Sequence, residues 1–193
     1  EDIAFSVRSK DFDEEFRITM PGLFNVQNAV ATMMAAKIYG VPMECVRSGL
    51  YRTKVEGRME KFASKDGMVK VIVDYAHNKL SFNAVFDSFK KEYPDHDVTA
   101  IFGSVGDRAE RRRQELGEVA GRNSDKIYVV ADDPGKEPFE EIAAEIEAEA
   151  SKYCNKVEII ENRGVAIHKA ILECRRPTVI LVLGKGAAKS IRY

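Results

Sequence analysis

The sequence predicts an α/β fold: from about residue 59 onward, a mostly parallel sheet with helices on both faces. Three observations carry this. Val- and Ile-rich segments of strand length alternate with amphipathic segments of helix length, the pattern of right-handed βαβ units. The strand segments are nearly continuous in apolar character, as expected when both sheet faces are covered. Four strand exits are rich in glycine or charge, and a parallel sheet gathers its strand exits on one edge, where ligands bind.

Ile3 to Arg8 and Glu15 to Met20 alternate polar with apolar residues and read as strands, with Lys10 to Glu14 as an acidic turn between them. Pro21-Gly22 stops the second strand. Val26, Val30, Met33, Met34 and Ile38 recur at helical spacing, so Leu23 to Tyr39 reads as a helix ended by Gly40. Pro42 to Tyr51 reads as a shorter helix, its proline near the start where the missing N–H does no harm. This opening part shows no evident closed core. After a boundary near residues 56 to 60 the rhythm changes. Val69 to Asp74, Val98 to Phe102, Lys126 to Ala131, Val157 to Ile160 and Thr178 to Leu183 read as strands. Leu80 to Glu92, Arg108 to Gly121, the acidic Pro138 to Lys152, and Val165 to Cys174 read as the helices between them.

Apolar residues are 45% of the 193 and charged residues 32%, enough to bury a core. Thirty basic side chains against 31 acidic ones leave a formal charge of -1, which argues against a nucleic-acid partner. No apolar run approaches the ~20 residues of a membrane span, so no membrane partner is expected. Cys45, Cys154 and Cys174 have no metal-ligand spacing and read as reduced thiols of a cytoplasmic protein; no metal site is expected. The chain opens on Glu1-Asp2 with neither a signal-peptide pattern nor an initiator Met, which predicts an excised piece of a longer protein.

The strand exits hold the candidate chemistry. Val69–Val73 leads into Asp74-Tyr75-Ala76-His77-Asn78, where Asp74 and His77 could form a base pair, a metal pair or a structural hydrogen bond. Val98–Phe102 leads into Gly103-Ser104-Val105-Gly106-Asp107-Arg108. Its amides and Arg108 could meet an anion, or the loop could be a plain turn with a solvated arginine. Arg108, Arg111, Arg112 and Arg113 crowd a predicted helix start, where cations are unfavourable unless an acidic group meets them. The acidic helix after Glu137 reads as a solvated face. Lys126–Ala131 leads into Asp132-Asp133-Pro134-Gly135, and Thr178–Leu183 into Gly184-Lys185-Gly186-Ala187-Ala188-Lys189-Ser190. The last loop is not a phosphate-gripping P-loop, because Ala188 precedes Lys189-Ser190 where that pattern requires glycine.

Six segments in order resemble the Mur ligase family: Gly22 to Ala31, Glu56-Gly-Arg-Met-Glu60, Val73-Asp-Tyr-Ala-His77, Phe102 to Arg108, Asp132-Asp133-Pro134, and Leu183-Gly-Lys-Gly186. They cover nearly the whole chain. The resemblance is greatest to the tripeptide-synthetase branch. It implies that residues 1–57 are the tail of a central ATP-binding domain whose P-loop is absent here. It implies that residues 58–193 are the Rossmann-like C-terminal domain that brings in the amino acid. The implied reaction phosphorylates the D-glutamyl carboxylate of UDP-N-acetylmuramoyl-L-alanyl-D-glutamate with ATP and Mg2+; the amine of the incoming amino acid then attacks the acyl phosphate.

By resemblance, Asn25 and Asn28 would face adenine, although Asn25 could instead cap its helix. Arg58 and Asp74 would approach the nucleotide, and His77 and Arg108 the phosphate end. Arg113, Asp132, Asp133, Pro134, Gly135 and Gly186 would line the amino-acid pocket. The branch that adds meso-diaminopimelate has Asp-Asn-Pro-Arg where this chain has Asp132-Asp133-Pro134-Gly135, and His-Glu where it has Ala187-Ala188. The arginine that would clamp a second carboxylate is therefore absent, and Asp133 adds negative charge for a distal ammonium. L-lysine or another diamino acid is the expected acceptor; the alternatives are a meso-diaminopimelate-adding enzyme of the same family and a non-catalytic Rossmann-type module that only binds an amino acid.

Overall fold

The computed structural model describes residues 2–10 and 12–192. The chain divides into two compact units, Glu1–Val55 and Glu56–Tyr193.

In the first unit, β1 (Ile3–Ser9) and β2 (Phe12–Ile18) form an antiparallel hairpin, with Ile3 opposite Ile18 and Ser9 opposite Phe12. The second strand starts earlier than the sequence predicts. Asp13 and Glu14 belong to it rather than to an acidic turn, and Asp13 pairs across the hairpin with Arg8 at 3.2 Å. Asp11, in that expected turn, lies outside the described residues. Helices α1 (Phe24–Ile38) and α2 (Met43–Arg52) follow. Phe16, Met33 and Val46 are buried together, with Phe5, Val30 and Leu50 packed around them. A small core is therefore present where the sequence showed none. Its members come from three elements, so no single stretch reveals it.

In the second unit six strands form one sheet in the order β3-β4-β8-β5-β6-β7. They are β3 (Glu60–Ala63), β4 (Val69–Asp74), β5 (Asp97–Phe102), β6 (Lys126–Val129), β7 (Val157–Ile159) and β8 (Thr178–Leu183). All neighbours run parallel except β3, which is antiparallel to β4. β8, the last strand in sequence, lies between β4 and β5, and all six of its residues are buried. This is why Val179–Leu183 is an unbroken apolar run.

Helices α3 (Lys79–Glu92), α4 (Glu110–Asn123), α5 (Phe139–Ala150) and α6 (Arg163–Glu173) complete the unit. α6 packs Ala166 and Ala170 against Ile101, Tyr128, Ile180 and Val182. α3 lays Phe82 edge-on to Phe102, 5.2 Å between ring centres. Successive strand residues point to opposite faces, so Ile101 and Phe102 place these two helices on opposite sides of the sheet. Asn78 caps α3 by accepting from the Ser81 amide at 3.0 Å, while Ser81 Oγ accepts from the Asn78 amide at 3.2 Å. α6 begins at Arg163, two residues before the predicted start, because Asn162 accepts from the Val165 amide and caps it there.

Candidate functional site

The four exits meet on the carboxyl edge of the second unit. Asp74, the last residue of β4, is buried and accepts from the Met59 amide at 2.8 Å and the Ala76 amide at 2.7 Å. Burial pushes its carboxyl above the usual range; those amides, Arg58 and His77 oppose the shift. His77 is not hydrogen-bonded to Asp74. Its Nδ1 sits 2.8 Å from the Tyr75 carbonyl oxygen, so in the neutral ring Nδ1–H donates and Nε2 keeps its lone pair. Arg58 is exposed and stacks over Tyr75, 4.6 Å from the ring centre.

The loop after β5 is zipped to the loop after β6. The Gly106 amide donates to the Asp133 carbonyl at 3.1 Å, and the Lys136 amide to Asp107 Oδ2 at 3.0 Å. The Asp107 amide donates to Glu137 Oε2 at 2.9 Å. A Cβ on Gly106 would stand 1.8 Å from the Pro134 carbonyl oxygen, so this approach needs glycine. Asp107 and Ala109 both take left-handed backbone, with φ of 58° and 59°. Arg108 lies between them, exposed, ahead of the helix rather than at its start.

Arg113 corrects the reading of the acidic helix as a solvated face. Its side chain is 1% exposed and holds Glu137 through both terminal nitrogens, at 2.6 and 2.5 Å, with Glu145 at 3.0 Å. Its guanidinium is paired with two carboxylates of its own chain. The acidic helix is correspondingly not a wholly solvated face: Glu145, with Glu137 just before the helix, neutralises a buried arginine.

Asp132 and Asp133 sit side by side after β6. Asp132 is 6% exposed, 3.7 Å from Arg163 and 3.8 Å from Lys185. Burial raises its pKa, against the pull of Arg163 and Lys185. Asp133 Oδ1 accepts from Lys185 Nζ at 2.7 Å and from the Arg192 amide at 2.8 Å. Burial pushes the Asp133 carboxyl up, but these donors bring it below the usual range. Gly135, with φ +65°, donates its amide to the Arg192 carbonyl at 3.1 Å. Pro134, in the same loop, is buried. Gly186 packs close to Gly57, whose added Cβ would meet the Ala187 nitrogen at 2.0 Å.

Two residues that the sequence reading passed over complete this cluster. Arg163 donates to the Leu183 carbonyl at 2.8 Å and the Ala131 carbonyl at 3.4 Å, tying together the ends of β8 and β6. Lys185 lies inside the Leu183–Gly186 segment, in which the resemblance implies a role for Gly186 alone. The Lys185 partners Asp133 and Asp132 are 52 and 53 residues away, and no spacing rule connects them. Beside the cluster lies a cavity of about 320 Å³, lined by Val73, Arg163, Ile167, Val182, Lys185 and Lys189 among others.

In the first unit, Asn25 is buried and donates to the Pro21 carbonyl at 2.7 Å, while its own oxygen accepts from Asn28 at 3.1 Å. It does not cap α1, whose N-cap is Leu23. Asn28 is exposed, with its amide oxygen and one N–H left to offer, the pair a bidentate contact needs. Among the described residues no group of three or more His, Cys, Asp or Glu could hold a metal ion. No helix of the described residues is long and apolar enough to cross a membrane.

Comparison with known proteins agrees with this architecture. The domain described as Mur ligase, glutamate ligase domain, matches residues 57–186. A UDP-N-acetylmuramoyl-L-alanyl-D-glutamate–2,6-diaminopimelate ligase from Caldanaerobacter subterraneus subsp. tengcongensis is 34% identical over 95% of this chain and 38% of its own length. A UDP-N-acetylmuramyl-tripeptide synthetase from Roseiflexus sp. is 35% identical over 98% of this chain and 40% of its own. The chain thus spans about two fifths of these relatives. Mycobacterium tuberculosis folylpolyglutamate synthase, solved with ADP and AMPPCP, shares the fold with a TM-score of 0.65. It is 19% identical over 88% of this chain and 40% of that one. On the match over residues 57–186, this chain belongs to the Mur ligase family.

Proposed function

We propose that this chain is the acceptor-handling part of an ATP-dependent, ADP-forming ligase. The ligase would add L-lysine or another diamino acid to UDP-N-acetylmuramoyl-L-alanyl-D-glutamate, in the cytoplasm, during peptidoglycan synthesis. Residues 58–193 would form its C-terminal domain and residues 1–57 the tail of its central ATP-binding domain. The observation that carries the choice of acceptor is Gly135. It stands where the diaminopimelate-adding branch has an arginine, and no other guanidinium projects from that loop.

ATP would supply the phosphoryl group that activates the D-glutamyl carboxylate, with Mg2+ offsetting its charge. The chain's own groups then have distinct tasks. Asn28 offers a bidentate amide edge to adenine, with Asn25 holding it from behind. Arg58 and Arg108 are exposed cations for phosphate oxygens, and Asp74 fixes the Met59 and Ala76 backbone beside Arg58 and His77. His77 Nε2 can take the proton that an attacking amine must lose. Asp132, Asp133, Pro134, Gly135 and Gly186 frame the acceptor, and Arg113 braces that frame through Glu137.

A second reading is meso-diaminopimelate, favoured by the cations Arg163, Lys185 and Lys189 on the cavity wall, which suit a second carboxylate. The test is ADP release by the full-length ligase that carries this chain, with ATP, Mg2+ and UDP-N-acetylmuramoyl-L-alanyl-D-glutamate. Release with L-lysine alone supports the first reading. Release with meso-diaminopimelate alone supports the second. Release with neither removes both named acceptors and points to a different acceptor or to a module that binds without catalysis.

A further inference from the structure

We infer that Lys185 is a specificity-determining residue: its ammonium holds the place beside Asp133 that the distal ammonium of an acceptor amino acid would take. The inference rests on reading this edge as the acceptor site. Lys185 is 9% exposed, and lysine is rarely so buried unless paired. Its partner is Asp133, through the oxygen that also accepts from the Arg192 amide. The two ends of segment 185–192 therefore meet one carboxylate oxygen, and the Gly135 amide holds the Arg192 carbonyl from the other side.

Charge and access make the same point. Asp132 and Asp133 face Lys185 and Arg163, two negative groups against two positive ones. As folded, the acidic pair offers no net charge to an amine. The cavity beside it is walled by Lys185 and Arg163, and neither aspartate lines it. An entering ligand meets cations first. Its ammonium reaches Asp133 only if Lys185 leaves, and leaving costs least where another anion receives the displaced ammonium. The ligand's own carboxylate can be that anion. Partners then exchange: Lys185 moves on its flexible stem to the ligand carboxylate, and the ligand ammonium replaces it on Asp133. The site would thus select an α-amino acid with a distal amine, and reject both a bare diamine and an amino acid without that amine.

The experiment is calorimetric titration of the 193-residue chain with L-lysine, L-norleucine and 1,5-diaminopentane. The intact chain should bind L-lysine about 10-fold more tightly than either analogue, the scale of one charge-assisted contact. Lys185→Met should bind 1,5-diaminopentane about 10-fold more tightly than the intact chain does, erasing the advantage of lysine. Lys185→Arg should keep the intact ranking. An unchanged ranking in Lys185→Met overturns the inference. A second readout needs no variant: the Arg192 and Gly135 amide resonances of the intact chain should shift with L-lysine and stay fixed with L-norleucine. Stationary resonances at saturating L-lysine also overturn it. Equal binding of lysine and norleucine removes the role of Lys185 and leaves the acceptor reading standing. Binding of none of the three removes both.

Discussion

Met59, Asp107, Ala109 and Asp133 take left-handed backbone without being glycine, and all four lie along the carboxyl edge of the sheet or hydrogen-bond to it. Such residues cost of order 1 kcal/mol each and persist where surrounding contacts over-determine them. Three of the four have visible retainers: the Asp74 carboxylate on Met59, Lys136 on Asp107, Lys185 on Asp133. Ala109 has no side-chain partner to lose. Ala109→Gly should therefore raise stability by about 0.5–1 kcal/mol in urea denaturation. Glu137→Gln should do the reverse. The hydrogen bonds from Arg113 hold the Glu137 carboxyl below the usual carboxylate range. Its stabilisation is present above the ordinary value of 4.5 and is lost as pH falls through the lowered folded value. The substitution should cost about 2–3 kcal/mol at pH 7, and the gap to the unsubstituted chain should close in acid. Asp74 and Asp132 pull the other way: their raised pKa values make stability fall as pH rises above the ordinary 3.8. For chemistry, His77→Ala in the full-length ligase should lower kcat about 100-fold with little change in the KM for the acceptor. The sequence named Asp74, His77, Arg108, Asp132 and Asp133 because strand exits can be read from hydropathy. It did not show that Arg113 is the buried one, because nothing in the string Arg108–Arg113 says which arginine turns inward.

At the scale of elements, most strands and helices were legible to within two residues. The exception is instructive. β3 (Glu60–Ala63) is an edge strand with one partner, and three of its four residues are exposed. It carries neither an apolar run nor a clear alternation, so its existence depends on pairing with Val71 and Ile72 across the sheet. The hairpin went astray for a related reason. Asp13 and Glu14 look like turn residues, but the strand tolerates them because Arg8 faces Asp13 across the hairpin and Arg47 of α2 pairs with Glu14. The contact between α4 and α5 is a packing fact that the sequence only hints at. Added Cβ atoms on Gly117 and Gly121 would stand 2.9 Å from the Ile146 carbonyl oxygen and 2.7 Å from that of Ala150. The two helices approach through this glycine stripe. Gly121→Val should push them apart and destabilise the second unit by about 2–3 kcal/mol in chemical denaturation, with helix content retained in circular dichroism.

For the whole molecule, the resemblance over six segments predicted a family before any contact was known, and the match over residues 57–186 agrees with it. What it did not supply was the charge balance at the carboxyl edge of the sheet, because Asp132, Asp133, Arg163 and Lys185 come from three separate stretches of the chain. A division of labour follows from the proposal. The 193-residue chain alone should release no ADP and bind ATP weakly, and tight ATP binding in a calorimeter would contradict it. The position of β8 has one more consequence. β4 and β5 are separated by more than twenty residues in sequence, yet neither touches the other; each bonds to a strand made about a hundred residues after β4. While the chain is being synthesised, the middle of the sheet is a slot with two bare walls. Helices α3 to α6 can form around it, but the slot closes only when Thr178–Leu183 is delivered. Folding of this unit is in that sense gated by its final strand, and a nascent chain stalled before residue 178 would present two sticky edges to its neighbours.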